Sequence, residues 1–417
     1  MDEMLQRQML AELLPLSTQG AARQQRACKI CGGPAPFFDV VDFNKFCSIE
    51  DCYAFGRAGI PVNYFRCKEC DFLFTGFFDS WTSDDFARWV YNADYPLVDG
   101  EYAEIRPLRF AEEMGRRLKG QEAIRILDYG SGTGVFAARM RELGFAAVEI
   151  YDPFSAPERP SGRFDLVTCF EVLEHSANPV ALLDDMKSFL RPDAGILFSQ
   201  ALQPANIAEI RANWWYTAPR NGHVSTHTLN SLSRLAERAG MLVCGQNGLF
   251  MFVGQATNAA AAQLLTNIGP PIVRCRLTAP RPATAGTVNP DGQLQWHAVE
   301  RSEVGFFRWS AAATLDWALP RAPWYPWDLL AEIPLHMSAY PEVLENARIE
   351  VGDQVVPINV VDGRIQARVR VRDPAVRHLR LFTGEPRSPA SLRGAPDQRL
   401  LGIAVRTGVG LDPSGQH

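Results

Sequence analysis

The pattern of apolar and polar positions in the middle of the chain predicts strands that alternate with helices. An apolar-rich run at 123–127 leads into a glycine-rich turn at 128–134. The same patterns recur as apolar runs at 147–151, 164–169 and 196–202 and as helical segments at 135–143, 181–190 and 229–239. Strands that alternate with helices predict an α/β domain on a mainly parallel sheet, which we place at 105–256.

One part of this pattern is shorter than a parallel sheet requires. Only eleven residues, three of them proline, separate Asp152 from Phe164. A crossover between parallel strands takes about a dozen residues or more. We therefore expect the sheet to be one strand-helix unit short. At its far end, residues 241–255, with Asn247 and Gly248 at a turn, predict a closing hairpin.

In the last third of the chain, short alternating stretches separated by Gly, Asp and Pro replace the helical patterns. In the clearest of them, every second residue from Ile365 to Val371 is apolar, with arginines on or beside the other face. Such alternation is typical of half-buried strands. We predict an antiparallel β-sandwich-like accessory domain at 272–412, joined through a linker at 257–271.

The N-terminal region carries a cysteine pattern typical of a metal site. Cys28 and Cys31 form one CxxC pair, Cys67 and Cys70 form a second, and 35 residues separate the pairs. Two thiolates from each of two tight turns can complete a tetrahedral shell around Zn²⁺. We predict a structural zinc in a small domain at 21–104, because a closed four-sulfur shell leaves no open position for catalysis.

Two alternatives to this zinc site stay open. Cys47 and Cys52 lie between the two pairs and could be free thiols or substitute ligands. Redox or disulfide chemistry is the other alternative.

Length and charge narrow the possible partners. The 417 residues correspond to two or three domains, and a loose helix is expected at 1–20. The 42 basic and 47 acidic residues give a net charge of −5, which offers no bulk attraction to nucleic acid. The sequence has no run of about 18 apolar residues, so no membrane span is predicted. Its start lacks the basic region of a signal peptide, and we expect a cytoplasmic location.

The glycine-rich turn carries the most specific chemical signal. Its glycines let the backbone approach a ligand closely, and the following helix presents free N–H groups. Alone, such a turn also fits nicotinamide or flavin enzymes. Asp128, two residues before the first glycine, would repel a pyrophosphate but stabilise the cationic amino group of S-adenosylmethionine. Asp152 ends the next strand, where a carboxylate can accept hydrogen bonds from both ribose hydroxyls.

The motifs ILDYGSGTG at 126–134 and FDLVTCFEVLEH at 164–175 resemble the class I S-adenosylmethionine-dependent methyltransferases, especially the branch with EVLEH. The resemblance covers about residues 121–255 and implies a Rossmann-like sheet. By matching positions it also implies a loop on the methionine side of the cofactor, a ribose ligand and a lining near the methyl group. These are Asp128, Gly130, Gly132 and Gly134 for the loop, Asp152 for the ribose, and Phe170 and Glu171 for the lining. Core packing for Phe170 and a solvated helix cap for Glu171, Glu174 and His175 are the alternatives.

The segment at 213–241 brings aromatic, cationic and imidazole side chains to a loop above the carboxyl edge of the sheet, where an acceptor should bind. It resembles the family pattern in which a histidine, here His223, precedes a helix cap, here Thr228. The side chains predicted to bind the acceptor are Trp215, Tyr216 and Arg220, and the candidates for the general base are His223, His175 and Glu171. The alternatives are a tryptophan lid packed on the core and structural histidines.

These observations predict methyl transfer from S-adenosylmethionine to a small molecule. The expected acceptor is a saccharide or nucleotide-sugar in surface-glycan or natural-product synthesis. Small zinc-bearing sugar C-methyltransferases share the CxxC pairs and this domain order, although their further motifs are not clearly present. The competing hypotheses are a non-catalytic methyltransferase-like module that scaffolds a glycan-assembly complex, and an RNA or protein methyltransferase.

Overall fold

The chain forms two compact units, Met1–Pro270 and Pro271–His417. The computed structural model describes residues 24–254, 256–269, 271–277, 287–288, 294–302, 305–319, 327–361, 363–373, 375–393 and 397–406. The helix expected at 1–20 lies outside these residues. The division between the units falls at the end of the expected linker, most of which forms a helix, Ala259–Ile268, with a buried apolar face.

The first unit begins with short strands and helices. They are β1 (Gln25–Ala27), β2 (Pro34–Asp42), β3 (Pro61–Arg66), β4 (Leu73–Thr75), α1 (Ser83–Trp89) and α2 (Tyr95–Val98). A longer alternating region follows. Its elements are α3 (Ile105–Arg117), β5 (Ile126–Tyr129), α4 (Val135–Glu142), β6 (Val148–Tyr151), β7 (Phe164–Cys169), α5 (Pro179–Ser188), β8 (Leu190–Ser199), α6 (Ile207–Ile210), β9 (Ser225–Thr226), α7 (Leu229–Arg238), β10 (Leu242–Gln246), β11 (Leu249–Val253) and α8 (Ala259–Ile268).

The central sheet of the first unit has the order β10-β11-β8-β7-β5-β6. Strands β6, β5, β7 and β8 run parallel, and β11 is antiparallel to both of its neighbours. Strand β6 ends the series, and residues 153–163 add only an isolated bridge between Asp152 and Ala156. The predicted α/β sheet, with one strand-helix unit missing, is therefore confirmed.

Local sequence explains how this sheet is connected. Gly134 has a left-handed backbone (φ 77°) and is the N-cap of α4, at the end of the glycine-rich turn that follows β5. The Thr228 hydroxyl accepts a hydrogen bond from the Ser231 N–H and caps α7, as its position predicts. Asn247 and Gly248 both have positive φ and join β10 to β11 in the predicted hairpin. Strand β8 begins earlier than expected, because residues 190–195 continue it.

The N-terminal sheet includes one strand from residues 213–241, which we call the acceptor segment. Its order is β1-β2-β3-β4-β9, all antiparallel, and β9 comes from the segment between β8 and α7. One buried apolar cluster joins Phe43 and Tyr64 of the N-terminal region to Trp214 and Tyr216. The segment that was expected to bind the acceptor is therefore folded against the cysteine-bearing sheet.

The second unit is built mainly of strands. They are β12 (Pro271–Arg276), β13 (Thr287–Val288), β14 (Leu294–Ser302), β15 (Gly305–Ser310), β16 (Thr314–Ala318), β17 (Trp327–Ser338), β18 (Arg348–Val351), β19 (Gln354–Pro357), β20 (Asn359–Val361), β21 (Arg364–Val371), β22 (His378–Phe382) and β23 (Ile403–Arg406), with a short helix α9 (Pro389–Arg393) before the last of them.

These strands form two sheets around one apolar core. One sheet has the order β16-β22-β18-β19, and in the other the long strand β17 pairs with β23, β21 and β12. Side chains of both sheets meet in one buried cluster that includes Leu329, Ile349 and Leu381. This arrangement fits the sandwich-like packing expected, but the prediction of purely antiparallel strands is wrong at one pair, because β12 runs parallel to β17.

Two arginines of β21 form ion pairs with a carboxylate of the same sheet. Arg368 and Arg370 both bind the buried carboxylate of Asp328 on β17, each at 2.6 Å. The alternating apolar residues on the other face of β21 are buried, as predicted. The two arginines therefore neutralise a buried acid of the neighbouring strand.

Candidate cofactor, acceptor and metal sites

The glycine-rich turn lies at the carboxyl end of β5, as predicted. Gly130, Gly132 and Gly134 all have positive φ, which side chains rarely adopt. A Cβ at Gly130 would lie 2.3 Å from Val172, so this position also has no room for a side chain. The turn therefore has an open backbone directly before the first helical turn of α4, where N–H groups are free for a ligand.

Asp128 is the charged group closest to this turn in sequence. It is 3 % exposed, and its Oδ1 accepts a hydrogen bond from the Thr168 hydroxyl at 3.0 Å. Its Oδ2 is buried and has no hydrogen-bond partner among the described residues. Burial raises the pKa of Asp128 to about 7. A buried carboxylate oxygen without a partner is costly in a folded protein, and a cationic ligand group would satisfy it.

Asp152 lies beside the turn, where the sequence places it. Its Oδ2 accepts from the Gly132 N–H at 3.0 Å, and its Oδ1 accepts from the N–H groups of Phe154 and Ser155 at 2.8 and 3.0 Å. These bonds fold residues 152–156 against the glycine-rich turn. Ionised carboxylate oxygens have further lone pairs, so these bonds leave acceptor capacity for a ligand hydroxyl.

Phe170 and Glu171 follow β7, in the order that the sequence predicts. The Phe170 ring stacks on Phe110 with centroids 4.2 Å apart and meets Phe136 at 5.3 Å. Glu171 has a strained φ of 55°, and the Ser199 hydroxyl accepts from its N–H and donates to its carboxylate. Phe170 is thus held in an aromatic stack, while the Glu171 carboxylate is fixed near Arg106, 3.6 Å away.

An open cleft of about 450 Å³ lies next to Glu171. Its walls come from α3, the end of β8, the β10–β11 turn and the acceptor segment. They include Phe110, Glu113, Met114, Arg117, Glu171, Ser199, Gln200, Ala201, Trp215, Tyr216, Asn247, Gly248 and Leu249. Of the three predicted acceptor-binding side chains, the structure brings Trp215 and Tyr216 to this cleft.

Arg220, the third of them, has a different environment. It is 3 % exposed, and its guanidinium donates to the Val90 carbonyl at 2.7 Å and to the Asn92 side chain at 3.1 Å. It is not among the residues that line the cleft. These hydrogen bonds make Arg220 an anchor for the end of α1 and the loop after it.

His223 and His175 come together with Glu174 behind the cleft wall. The two imidazole centroids are 5.0 Å apart, and one carboxylate oxygen of Glu174 and one nitrogen of each ring lie within 4.8 Å of one another. Burial lowers the pKa of both imidazoles and raises the pKa of Glu174 to about 6. Glu174 is fully buried, so its interpretation as a solvated helix cap is wrong.

Three further groups reach this cluster from the N-terminal region. The Tyr91 hydroxyl is 3.1 Å from His175 Nδ1, and the Cys47 thiol is 3.6 Å from His223 Nδ1. The Lys45 ammonium donates to the carbonyls of Trp214 and Thr217 at 2.8 and 2.7 Å. Sequence reasoning missed these roles, because the residues lie more than 80 positions from the imidazoles that they approach. The aromatic run at 91–96 was the only available signal for Tyr91.

The four CxxC cysteines converge on one point. Cys28 and Cys70 have sulfurs 3.6 Å apart, those of Cys31 and Cys67 are 3.5 Å apart, and all four lie within 4.8 Å of one another. Tetrahedral Zn²⁺ with bonds of about 2.3 Å places its sulfur ligands about 3.8 Å apart, so the thiols present fit such an ion. None of the four forms a disulfide, and Cys47 contacts His223 instead of joining them.

The two cysteine turns are also tied to the beginning and end of α7. The Thr228 hydroxyl donates to the Cys70 carbonyl, and the Asn230 amide donates to the Glu69 carbonyl and to Asp71. At the other end of the helix, the Arg238 guanidinium donates to the Ile30 carbonyl at 2.9 Å. The cysteine cluster therefore supports the helix that forms the second half of the acceptor segment.

Across the described ranges, no helix combines the length and apolar character needed to cross a membrane.

Comparisons with known proteins address the central region. Residues 102–243 match the family model of a methyltransferase domain. The ubiquinone biosynthesis O-methyltransferase of Pseudoalteromonas translucida is 28% identical over an alignment of 131 residues that covers 24% of this chain and 55% of that protein. The enzyme of the same name from Azotobacter vinelandii is 32% identical over an alignment of 125 residues that covers 23% of this chain and 51% of that protein. The chain thus spans about half the length of these relatives.

Solved structures of proteins named as methyltransferases also match part of this chain. An O-methyltransferase family protein from Burkholderia thailandensis has a TM-score of 0.33 and 11% identity, and covers 43% of this chain and 64% of that chain. A putative methyltransferase from Bacillus halodurans has a TM-score of 0.27 and 18% identity, and covers 32% of this chain and 69% of that chain. The assignment of a methyltransferase domain to the centre of the chain rests on the family model and the sequence relatives.

Proposed function

We propose that this protein transfers a methyl group from S-adenosylmethionine to a small-molecule acceptor. The observation that carries the proposal is the buried, unpartnered Oδ2 of Asp128 beside the glycine-rich turn. A cationic amino group is the kind of partner that such an oxygen lacks, and a dinucleotide pyrophosphate would be repelled there. The family model over residues 102–243 supports the same cofactor class.

Each cofactor-binding residue has a distinct part in this proposal. Asp128 pairs with the amino group of the cofactor, and the open backbone at Gly130, Gly132 and Gly134 accommodates its methionine side. Asp152 accepts hydrogen bonds from the ribose hydroxyls in addition to those from its own turn. When bound, S-adenosylmethionine supplies a sulfonium methyl group for in-line displacement by a lone pair of the acceptor.

The acceptor binds in the cleft beside Glu171. The cleft combines an indole face at Trp215 with the polar side chains of Gln200, Asn247 and Arg117. Flat faces and hydrogen-bonding groups suit a hydroxyl-bearing acceptor such as a saccharide or nucleotide-sugar. The names of the sequence relatives point to O-methylation, so an oxygen nucleophile is the first to test.

The groups at the inner wall of the cleft remove the proton from the acceptor. His223 is our leading candidate for the general base, with His175 and Glu171 as the other two. Burial lowers the pKa of both imidazoles, so each ring is neutral near pH 7 and able to accept a proton. Tyr216 lies between the cleft and His223, with ring centroids 4.3 Å apart, so movement of its ring would give the imidazole access to an acceptor.

The cysteine cluster has a structural part in this proposal. Cys28, Cys31, Cys67 and Cys70 hold Zn²⁺ in a closed shell, which fixes the two turns that contact α7. The zinc contributes to folding and takes no part in methyl transfer.

A labelling experiment tests the proposed activity. Purified protein is incubated with S-adenosylmethionine that carries an isotopic methyl label, together with a panel of saccharides, nucleotide-sugars and phenols, and with cell extract as an unbiased source. Mass spectrometry should detect a labelled small molecule and equimolar S-adenosylhomocysteine. Binding of the cofactor without any labelled product would favour the scaffold hypothesis, and labelled RNA or protein would contradict the small-molecule acceptor.

A further inference from the structure

Glu174 is a fully buried carboxylate with one oxygen unused. It lies in the 3-10 turn Leu173–His175 that follows β7. The Tyr216 hydroxyl donates a hydrogen bond to its Oε1. Its Oε2 is buried and has no hydrogen-bond partner within the described part of the chain. A buried carboxylate oxygen in this state is costly unless another group satisfies it during the working cycle.

The two imidazoles beside Glu174 are oriented by backbone carbonyls. His223 Nδ1 lies 2.8 Å from the Tyr216 carbonyl, and His175 Nδ1 lies 3.1 Å from the Gly222 carbonyl. A carbonyl only accepts hydrogen bonds, so each Nδ1 carries the hydrogen and each Nε2 has the free lone pair. Gly222 allows the His175 contact, because a Cβ there would lie 3.1 Å from His175 Nδ1 and 2.9 Å from the Tyr91 hydroxyl.

The cluster therefore contains hydrogen-bond acceptors without a matching donor. The carboxylate oxygen and the two ring nitrogens lie within 4.8 Å of one another. With both imidazoles neutral, no group among the three has a hydrogen to offer to Oε2 of Glu174. One added proton on either ring would change this, because the imidazolium would carry a positive charge within 4.8 Å of the carboxylate and pair with it.

We infer that Glu174 is a positioning residue that holds the protonated imidazole formed when the His175–His223 pair removes a proton from the acceptor. This inference rests on the proposed function. The acceptor O–H bond breaks and its proton moves to an imidazole Nε2. The electron pair of that bond stays on the acceptor oxygen, which bonds to the methyl carbon as the carbon–sulfur bond breaks and its electron pair remains on the sulfur. The imidazolium is then paired with the Glu174 carboxylate until the proton leaves to solvent.

The surrounding charges are compatible with this role. The groups that act on the cluster are Glu171 from its own loop, Arg106 from α3, Asp99 from the end of α2, Lys45 and Cys47 from the loop after β2, and Tyr91 and Tyr216 from the adjoining loops. Burial is the largest cause in each case: it raises the pKa of Glu174 and lowers that of each imidazole, and the nearby cation Arg106 lowers the imidazole values further. Burial therefore disfavours each isolated ion, and pairing of the imidazolium with the carboxylate offsets both costs.

The test compares imidazole titrations in the native protein and in Glu174→Gln. The amide oxygen of glutamine can still accept from the Tyr216 hydroxyl, so the substitution removes the charge with little change in shape. NMR of ¹⁵N-labelled histidine gives the pKa of His175 and His223 without an acceptor. We expect both values to fall in Glu174→Gln, by about one pH unit for the closer ring, because the carboxylate no longer stabilises the imidazolium. Glu113→Gln, the same change on the cleft wall, should leave both titrations unchanged.

Turnover gives the second readout. In Glu174→Gln we expect kcat to fall by about 10- to 100-fold, with the acid limb of the rate shifted to lower pH and unchanged affinity for S-adenosylmethionine. A variant that loses turnover with no shift in either imidazole titration would overturn the inference, since that is the result of a merely structural role. A second metal ion per chain that disappears in Glu174→Gln would also overturn it, because the three groups would then be ligands.

The outcome separates this inference from the proposed function. If the imidazole titrations shift in Glu174→Gln but the native protein transfers no methyl group, the proposed function is refuted and the pairing of Glu174 with the imidazoles is retained. If Glu174→Gln does not fold, ¹³C NMR of the Glu174 carboxyl in the native protein replaces it. That carboxyl should titrate in step with an imidazole, and an independent titration would overturn the inference.

Discussion

The cofactor side and the acceptor side of the first unit are built in different ways. On the cofactor side, Asp128, the glycine-rich turn and Asp152 lie within 25 residues of chain and are joined by bonds such as Gly132 N–H to Asp152. On the acceptor side, the cluster of Glu174, His175 and His223 receives Tyr91 and Cys47 from loops of the N-terminal region, which is distant in sequence. The first site depends on local backbone conformation, and the second depends on the docking of three separate segments.

This difference determines how each site should respond to damage. A change in the N-terminal sheet acts directly on the acceptor side, because β4 pairs with β9 and the cysteine turns contact α7. The glycine-rich turn has its main supports within the central sheet. We therefore expect variants of the N-terminal sheet to reduce methyl transfer more than they reduce cofactor affinity.

The largest effect is expected from loss of the cysteine-bound metal. Elemental analysis should give about one zinc per native chain, and Cys67→Ser should lose it, abolish turnover and lower the free energy of unfolding by more than about 4 kcal/mol. Hydrogen exchange should speed up in β2 to β4, while β5 and β7 keep most of their protection. Cys244→Ser changes a buried cysteine of β10 that lies outside the metal cluster and serves as the matched control.

Two results would break the comparison at this point. Native protein that contains no metal and still has protected N-terminal amides would refute the zinc site. Equal loss of protection in β5 and in the N-terminal strands would mean that the two sides fold as one cooperative structure.

The next largest effect is expected at the proposed base. His223→Ala should lower turnover by about 10² to 10⁴-fold and leave affinity for S-adenosylmethionine within about threefold. Steady-state rates and calorimetric titration measure the two quantities. The same loss in His175→Ala, with normal turnover in His223→Ala, would exchange the roles. Near-normal turnover in both variants would mean that Glu171 removes the proton or that the reaction needs no general base.

The structure explains why the sequence predicts one side better than the other. A glycine-rich turn after an apolar run requires a particular backbone, so its place at the end of β5 and the missing unit after Asp152 could be predicted from the sequence. The environment of Arg220 could not, because its partners Val90 and Asn92 lie about 130 positions away. The burial of Glu174 depends in the same way on Tyr216, which reaches it from a different segment.

The helix at 259–268 and the parallel pair β12–β17 were missed for a different reason. The first contains a run of alanines without strong amphipathic spacing, so its composition resembled that of a linker. Strand direction is set by tertiary pairing, and the alternation of a single strand predicts burial of one face without indicating its neighbour.

A smaller effect concerns the junction between the two sheets. His227 packs on Phe72 of the N-terminal region, and burial lowers its pKa to about 3. Because the folded pKa lies below the unfolded value of about 6.5, the unfolded chain binds the proton more readily. The free energy of unfolding should therefore fall by about 1.4 kcal/mol per pH unit as the pH drops from about 6.5 towards 3.

Denaturant titrations at a series of pH values measure this slope. A His227→Gln variant that folds should lack this part of the pH dependence, and the slope left in it belongs to the other buried groups. An identical slope in both proteins would show that His227 does not titrate between the two states.

The smallest effect is expected at the edge of the cleft. Trp215 lines the cleft and is 40% exposed, so Trp215→Ala should raise the KM for the acceptor by about 3- to 10-fold with little change in cofactor affinity. Leu108→Ala, at a position that is equally exposed but outside the cleft lining, is the matched control. An unchanged KM in Trp215→Ala would show that the acceptor does not bind against this wall of the cleft.

The affinity for S-adenosylmethionine as a function of pH tests the central claim most directly. The pKa of Asp128 is raised to about 7, so below that pH a proton occupies the carboxylate that must pair with the amino group of the cofactor. Calorimetry should show one site per chain with a Kd of micromolar order, and the Kd should fall by up to about tenfold between pH 6 and pH 8. Asp128→Asn should bind at least about tenfold more weakly at pH 8, with a flat profile. Equal affinity and equal pH dependence in the two proteins, or no binding by the native chain, would contradict the account.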